Sequence, residues 1–169
     1  MRNPVKHALI ATAFTLALAL APEGAMASNL TRTVAFFDKL DRNHMELVDQ
    51  FYDRNVVFED PVHKLQGSAA VRSYYEGLYR NAETIRFEYS RQLEDGNTVV
   101  LAWRMFLRTP AIDSGREITV DGTSVISFDG PDGKAIAHRD YFDMGEFVYE
   151  RIPVLGSIIR YIKGRLAGS

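Results

Sequence analysis

At Ile85 the spacing of apolar residues changes, and this change constrains the fold more than any other feature of the chain. Before it the period is helical. Leu30, Val34, Phe37 and Leu40 share one helical face, and Met45, Leu47, Val48, Phe51 and Tyr52 share another after Asn43, a good N-cap residue. Val56 to Glu59 reads as a short strand stopped by Pro61. Gly67-Ser68 opens a third helix, with Ser68 as cap and Val71, Tyr74, Tyr75, Leu78 and Tyr79 as its stripe. From Ile85 onward the period is two. Ile85, Phe87, Tyr89 and Leu93 alternate with polar residues, and Asp95-Gly96-Asn97 makes a hairpin turn. Val99, Leu101, Trp103, Met105 and Leu107 then line one face of a long strand, and further strands are expected over 116–128 and 134–142. Three helices followed by antiparallel strands predict an α+β domain, a curved antiparallel sheet wrapped around three N-terminal helices.

The N-terminus reads differently. Arg2, Lys6 and His7 precede an apolar run from Ala8 to Ala21, a Pro22-Glu23-Gly24 break, and Ala25-Met26-Ala27. That order predicts a secretory signal peptide over residues 1–27, cleaved after Ala27, and with it an exported protein, periplasmic or secreted; the alternative, an uncleaved anchor or a start codon further along, leaves the protein membrane-tethered or cytoplasmic. The apolar run falls short of the roughly 20 residues a membrane span needs. Residues 28–169 remain as one domain of 142 residues. Losing Arg2, Lys6 and Glu23 takes the net charge from −2 to −3, and no basic cluster of the kind that binds nucleic acid is present. There is no cysteine, so packing must hold the core without disulfides or thiolate metal sites. With 46% hydrophobic residues, ten Phe and eight Tyr, the chain has the means.

Two stretches place ionisable groups among apolar ones. Ile136, His138, Asp140 and Phe142 share one face of the last strand, while Ala135, Ala137, Arg139 and Tyr141 share the other. Taken alone, the strand leaves open which face is inward. If the first is, His138 and Asp140 enter the cavity, either as functional groups or as a static network with each other or with Arg104. An inward Phe58 likewise carries Asp60 to the inner rim, although Asp-Pro is also an ordinary strand terminator.

Val57-Phe58-Glu59-Asp60-Pro61-Val62, followed by Gly67-Ser68-Ala69-Ala70-Val71-Arg72-Ser73-Tyr74-Tyr75, resembles the matching stretch of bacterial steroid Δ-isomerases. These belong to the nuclear transport factor 2-like superfamily, with SnoaL-like polyketide cyclases, limonene epoxide hydrolase and scytalone dehydratase. The resemblance runs from about Val34 to Phe142. It implies that Asp60 is a general base, that Tyr74 packs beside it, and that His138, Asp140 and Phe142 line the pocket, which turns their face inward. The same resemblance marks two departures. The first helix has Phe36 where the isomerases carry their oxyanion-hole tyrosine, and the hole's protonated aspartate falls near Ser124. Losing even one such donor costs on the order of 10²–10³ in rate, so the steroid-isomerase mechanism is not expected.

The expected function is a cofactor-independent acid–base enzyme, an isomerase, cyclase, dehydratase or hydrolase, acting on a small hydrophobic substrate that is lipid-like or polyketide-like. Asp60, His138 and Asp140 are the candidate catalytic residues, and Phe36, Tyr74, Trp103, Met105, Ser124 and Phe142 the candidate ligand contacts. The alternative is a non-catalytic exported binding protein for a hydrophobic ligand. No cofactor or metal is expected, since His-x-Asp with one distant Asp is a weak ligand set. Dimers are common in the superfamily, which implies a homodimer by analogy. Finally, residues 153–166 predict a helix with Leu155, Ile158, Ile159, Ile162 and Leu166 on one side and Arg160, Lys163 and Arg165 opposed. Such a stripe ordinarily packs on its own domain or a partner; the other reading is a peripheral contact with an anionic membrane.

Overall fold

A computed structural model describes residues 27–130 and 133–168, so all of the expected signal peptide except Ala27 lies outside the described residues. The first helix, α1 (Asn29–Lys39), is capped by Ser28, whose hydroxyl accepts from the Thr31 amide. α2 is short (Glu46–Phe51) and starts at Met45 without a side-chain cap, not at Asn43. The chain then turns extended at Tyr52, the residue expected to close the helical stripe, and continues as β1 (Tyr52–Glu59). A three-residue strand, β2 (Lys64–Gln66), lies between β1 and α3 (Ser68–Asn81).

The cap of α3 is Gly67 and not Ser68. At φ +90°, Gly67 donates its amide to Val56 O and approaches Arg54 O so closely that a Cβ would stand 3.2 Å from it. This fixes the entry of α3 against β1.

Three long strands follow: β3 (Thr84–Asp95), β4 (Thr98–Arg108) and β5 (Glu117–Phe128), then β6 (Ala135–Phe142). The six strands form one sheet in the order β2-β1-β6-β5-β4-β3. All pairings are antiparallel except β1 with β6, which is parallel. The parallel join is where the early strand, placed among the helices by sequence, comes to lie beside the last one. The fold is α+β, with helices packed in the hollow of the curved sheet. Val56, Phe58, Val99, Leu101, Ile118, Val120 and Ile126 form its buried centre with Val48, Phe51 and Val71 of the helices.

One register break affects the site. Ser127 pairs with Ala137 and Phe128 with Ala135, so Ile136 is left over as a bulge. Ile136 is therefore 42% exposed instead of sharing the inner face with His138, as strict alternation had predicted.

Beyond β6, Asp143 caps the single-turn helix α4 (Met144–Phe147) by accepting from Gly145 and Glu146 amides. A 3-10 turn (Tyr149–Arg151) then leads into α5 (Pro153–Leu166).

Candidate functional site

Cross-strand register gathers the polar groups of the cone. Ser124 on β5 lies directly opposite Asp140 on β6, and Ile126 opposite His138. Trp103 on β4 lies opposite Gly122. Because the pairs share a face, the side chains of Trp103, Ser124, His138 and Asp140 meet inside.

Asp140 is the focus of this group. Its Oδ1 accepts from the Ser124 hydroxyl and lies 2.9 Å from His138 Nε2. Trp103 Nε1 donates to Ser124 Oγ at 2.9 Å, which commits the serine proton to the carboxylate. His138 is 1% exposed, and its Nδ1 is 2.6 Å from the Tyr52 hydroxyl. That hydroxyl in turn is 3.2 Å from the Tyr75 hydroxyl. The network is satisfied with the imidazole proton on Nε2, donated to Asp140, while Nδ1 accepts from Tyr52, an assignment made from the hydrogen bonds themselves. Rings of Tyr52, Phe58 and Phe37 enclose the imidazole at centroid distances of 5.9, 4.9 and 5.9 Å. Burial raises the pKa of both Tyr52 and Tyr75 well above the ordinary phenol value, so both hydroxyls hold their protons as donors.

Asp140 borders a cavity of about 80 Å³. Phe37, Phe87, Leu101, Trp103, Met105, Phe142 and Phe147 line it, with Tyr74, Tyr75 and Leu78 contributed by α3. The walls are almost wholly apolar. The Asp140 side chain is 16% exposed, with both of its hydrogen bonds on Oδ1 and none on Oδ2 among the described residues. The carboxylate is thus held by one oxygen while the other is uncommitted.

Gly122 makes this arrangement fit. A Cβ there would lie 2.2 Å from the Trp103 ring, so only glycine lets the indole cross β5 and reach Ser124.

The residues expected from sequence divide clearly. His138, Asp140 and Ser124 are linked directly, and Tyr74, Trp103, Met105, Ser124 and Phe142 line the cavity with Asp140. Asp60 does not line it. Its Oδ1 accepts from the amides of Val62 (2.7 Å) and His63 (2.6 Å), and the His63 ring lies 3.0 Å from Oδ2. This is a closed Asx turn, with the carboxylate 2% exposed. Asp60 communicates with the cavity through Tyr74. Burial first, and then the charges of Asp60 and Asp140, raise the Tyr74 pKa far above the ordinary value. Phe36 also misses the cavity. It stacks on Phe51 at 4.2 Å within the helical core, because its place on α1 faces α2. Arg104 is on the outer face, paired with Asp121 at 2.7 and 2.8 Å, and plays no part in the inner network.

Tyr52 and Tyr75 were read from sequence as helical core positions. Their signal was chemical: a tyrosine hydroxyl buried in a core needs a partner, and two such hydroxyls point to a buried acceptor. Among the described residues no three His, Asp or Glu side chains gather as a metal site.

A comparison with curated proteins finds no match. Solved structures do resemble this one. A putative SnoaL-like polyketide cyclase from Shewanella denitrificans OS-217 is 17% identical, covering 76% of this chain and 96% of its own, with a TM-score of 0.62. An NTF2-like protein of unknown function from Burkholderia pseudomallei is 18% identical, covering 72% and 95%, also with a TM-score of 0.62. An epoxide hydrolase of the LEH-like type from M. tuberculosis is 18% identical, covering 70% and 81%, with a TM-score of 0.59. At these identities the likeness concerns the fold, the nuclear transport factor 2-like cone. The SnoaL-like domain pattern matches residues 33–138, more than half of the chain and nearly all of the cone. The chain belongs to the SnoaL-like domain family.

Proposed function

We propose that the protein is a cofactor-independent acid–base enzyme acting on a small hydrophobic substrate, with Asp140 as its base. The observation that carries this reading is the division of labour on the Asp140 carboxylate. Oδ1 is fixed by Ser124 and His138, while Oδ2 has no hydrogen bond among the described residues, and Asp140 is part of the wall of an apolar cavity. A purely structural carboxylate ordinarily uses both oxygens, as Asp60 does. Asp140 is instead aimed and steadied, as a group that takes a proton from substrate or from a held water must be. Oδ2 would accept that proton, and the pair of donors on Oδ1 would keep the carboxyl group from turning. Tyr74, kept protonated by burial and by the nearby carboxylates, is placed to donate to an oxygen that gains charge. The choice among isomerase, cyclase, dehydratase and hydrolase rests with the substrate.

The rival reading is a hydrophobic-ligand carrier. An apolar carrier gains nothing from an uncommitted carboxylate in its wall and loses ligand affinity by desolvating it. The test is to extract and weigh any small molecule that co-purifies, then follow its conversion. Turnover that falls with Asp140→Asn while binding persists supports the enzyme. Tight binding with no conversion, unaltered or improved by Asp140→Asn, supports the carrier.

A further inference from the structure

The amphipathic helix α5 is attached to the domain by the wrong face. Gly156, Arg160 and Lys163, one turn apart along one side, face Asp143 and Glu150 in the segment that precedes the helix. Gly156 is buried, and a Cβ there would stand 2.1 Å from Glu150 O. Arg160 donates to that same carbonyl at 3.0 Å, and Lys163 pairs with Glu150 and with Asp143. Four of the five stripe residues are consequently turned outward, with Leu155 37% exposed, Ile158 51%, Ile162 50% and Leu166 83%, while Ile159 is half-buried. This is the reverse of the usual packing of a surface helix, in which the apolar side is the docked side.

We propose that this outward face docks on an anionic lipid surface. Charge is the deciding observation. Residues 153–169 contain Arg160, Lys163 and Arg165 and no acidic residue, whereas residues 28–152 carry a net charge of −6. An anionic surface therefore attracts α5 and repels the rest of the domain, which orients the protein with its apolar stripe down. Arg165 flanks the stripe on the side away from Lys163, where its head reaches lipid phosphates as its stem covers apolar surface. Tyr161, 66% exposed, belongs at the same interfacial depth. A two-fold dimer through this face would bring two like-charged, +3 segments together, which disfavours a second copy as the cover. With 14 residues, α5 lies on a membrane and does not cross it; among the described residues no helix is long and apolar enough to span.

The docked position has a consequence for the cavity. Lys163 is paired to Asp143, the cap of α4, and α4 carries Phe147, one of the cavity walls. Lipid contact at α5 would bring that edge of the cone next to the bilayer. The inference does not depend on what reaction, if any, the cavity performs.

Co-sedimentation of the full chain with pure phosphatidylglycerol vesicles, against pure phosphatidylcholine vesicles, tests the proposal. Binding to the anionic vesicles is expected, weaker by about tenfold on the zwitterionic ones and falling with salt. Ile158→Glu with Ile162→Glu should reduce it by at least about tenfold without altering the melting temperature, since both side chains are half exposed. Arg165→Glu, a milder change at an exposed site, should cost several-fold on anionic vesicles alone. Failure of the wild type to sediment with anionic vesicles overturns the proposal, as does a double variant that binds like wild type. A wild-type dimer that the double variant converts to monomer also overturns it, in favour of a second copy.

Discussion

His138 and Asp140 are two residues apart on one strand, and the imidazole Nε2 lies 2.9 Å from Oδ1 of the carboxylate. The contact joins the aromatic interior to the cavity wall. Behind it are Tyr52 and Tyr75, and in front is the uncommitted Oδ2.

Tyr52→Phe removes the donor to His138 Nδ1 and the partner of Tyr75 in one step. Both atoms are buried, and an orphaned buried polar group costs about 1–3 kcal/mol. Chemical denaturation should show a loss in that range. A loss near zero would mean that water or a tautomer change replaces the phenol.

Gly122→Ala drives a methyl into the Trp103 ring. The indole must move off Ser124, and overpacking of this kind costs about 1–3 kcal/mol. Since Trp103 is the sole tryptophan, its fluorescence should shift with the loss of stability. An unchanged emission spectrum and an unchanged melting temperature would show that the indole is not pinned as described.

Stability should fall in alkali. Burial raises the pKa of Tyr52, Tyr74 and Tyr75 above the ordinary value, and pushes Tyr79 up to about 12. In the unfolded chain these phenols ionise near pH 10, whereas in the folded chain they keep their protons. The folded state therefore binds more protons above that pH. The stability contributed by these groups is complete below about pH 10 and is lost as the pH rises toward the folded values, at up to about 1.4 kcal/mol per pH unit for each tyrosine. Tyrosinate absorbance should rise together with unfolding. Phenols that titrate freely near pH 10 in a folded protein would contradict the burial.

The proposed export has its own test. α1 begins at Asn29 with Ser28 as its cap, so cleavage after Ala27 would leave the cap in place. N-terminal sequencing of protein from its native cells should return Ser28. Recovery of Met1 in a soluble fraction would end the proposal.

Much of this was legible in the residues. The change of period at Ile85 and the resemblance of the Asp60 and Tyr74 segments sufficed for the cone, and His138 and Asp140 emerged as an odd pair among apolar neighbours. Three features were not legible, each for a local reason. The bulge at Ile136 depends on how Phe128 pairs, which no alternation within β6 alone can show. The resemblance of its segment implies a base at Asp60, whereas its carboxylate is held in a turn closed by backbone amides two and three residues on. Tyr52 continued a helical stripe, and only the extended turn at the end of α2 directs its hydroxyl to His138. The outward stripe of α5 was visible as a pattern, while the face by which it is anchored depended on Glu150.

Whether the Asp140 carboxylate works as a base in the apolar cavity can be tested before any natural substrate is known. A nitro-substituted benzisoxazole is a small apolar probe that opens when a base removes its ring C–H proton. The C–H electron pair forms the nitrile, the N–O bond breaks with its pair going to oxygen, and the product is a single coloured cyanophenolate. Quenching of Trp103 fluorescence reports whether the probe enters, since that ring lines the cavity. The wild type should open the probe faster than free acetate at equal concentration and pH. Asp140→Asn should lose about 10²–10⁴ of that rate, the usual contribution of a positioned base, with the fold intact and quenching retained. Asp60→Asn should keep it. An Asp140→Asn variant that binds the probe and opens it as fast as wild type, or a rate abolished by Asp60→Asn alone, would show that Asp140 is not the base.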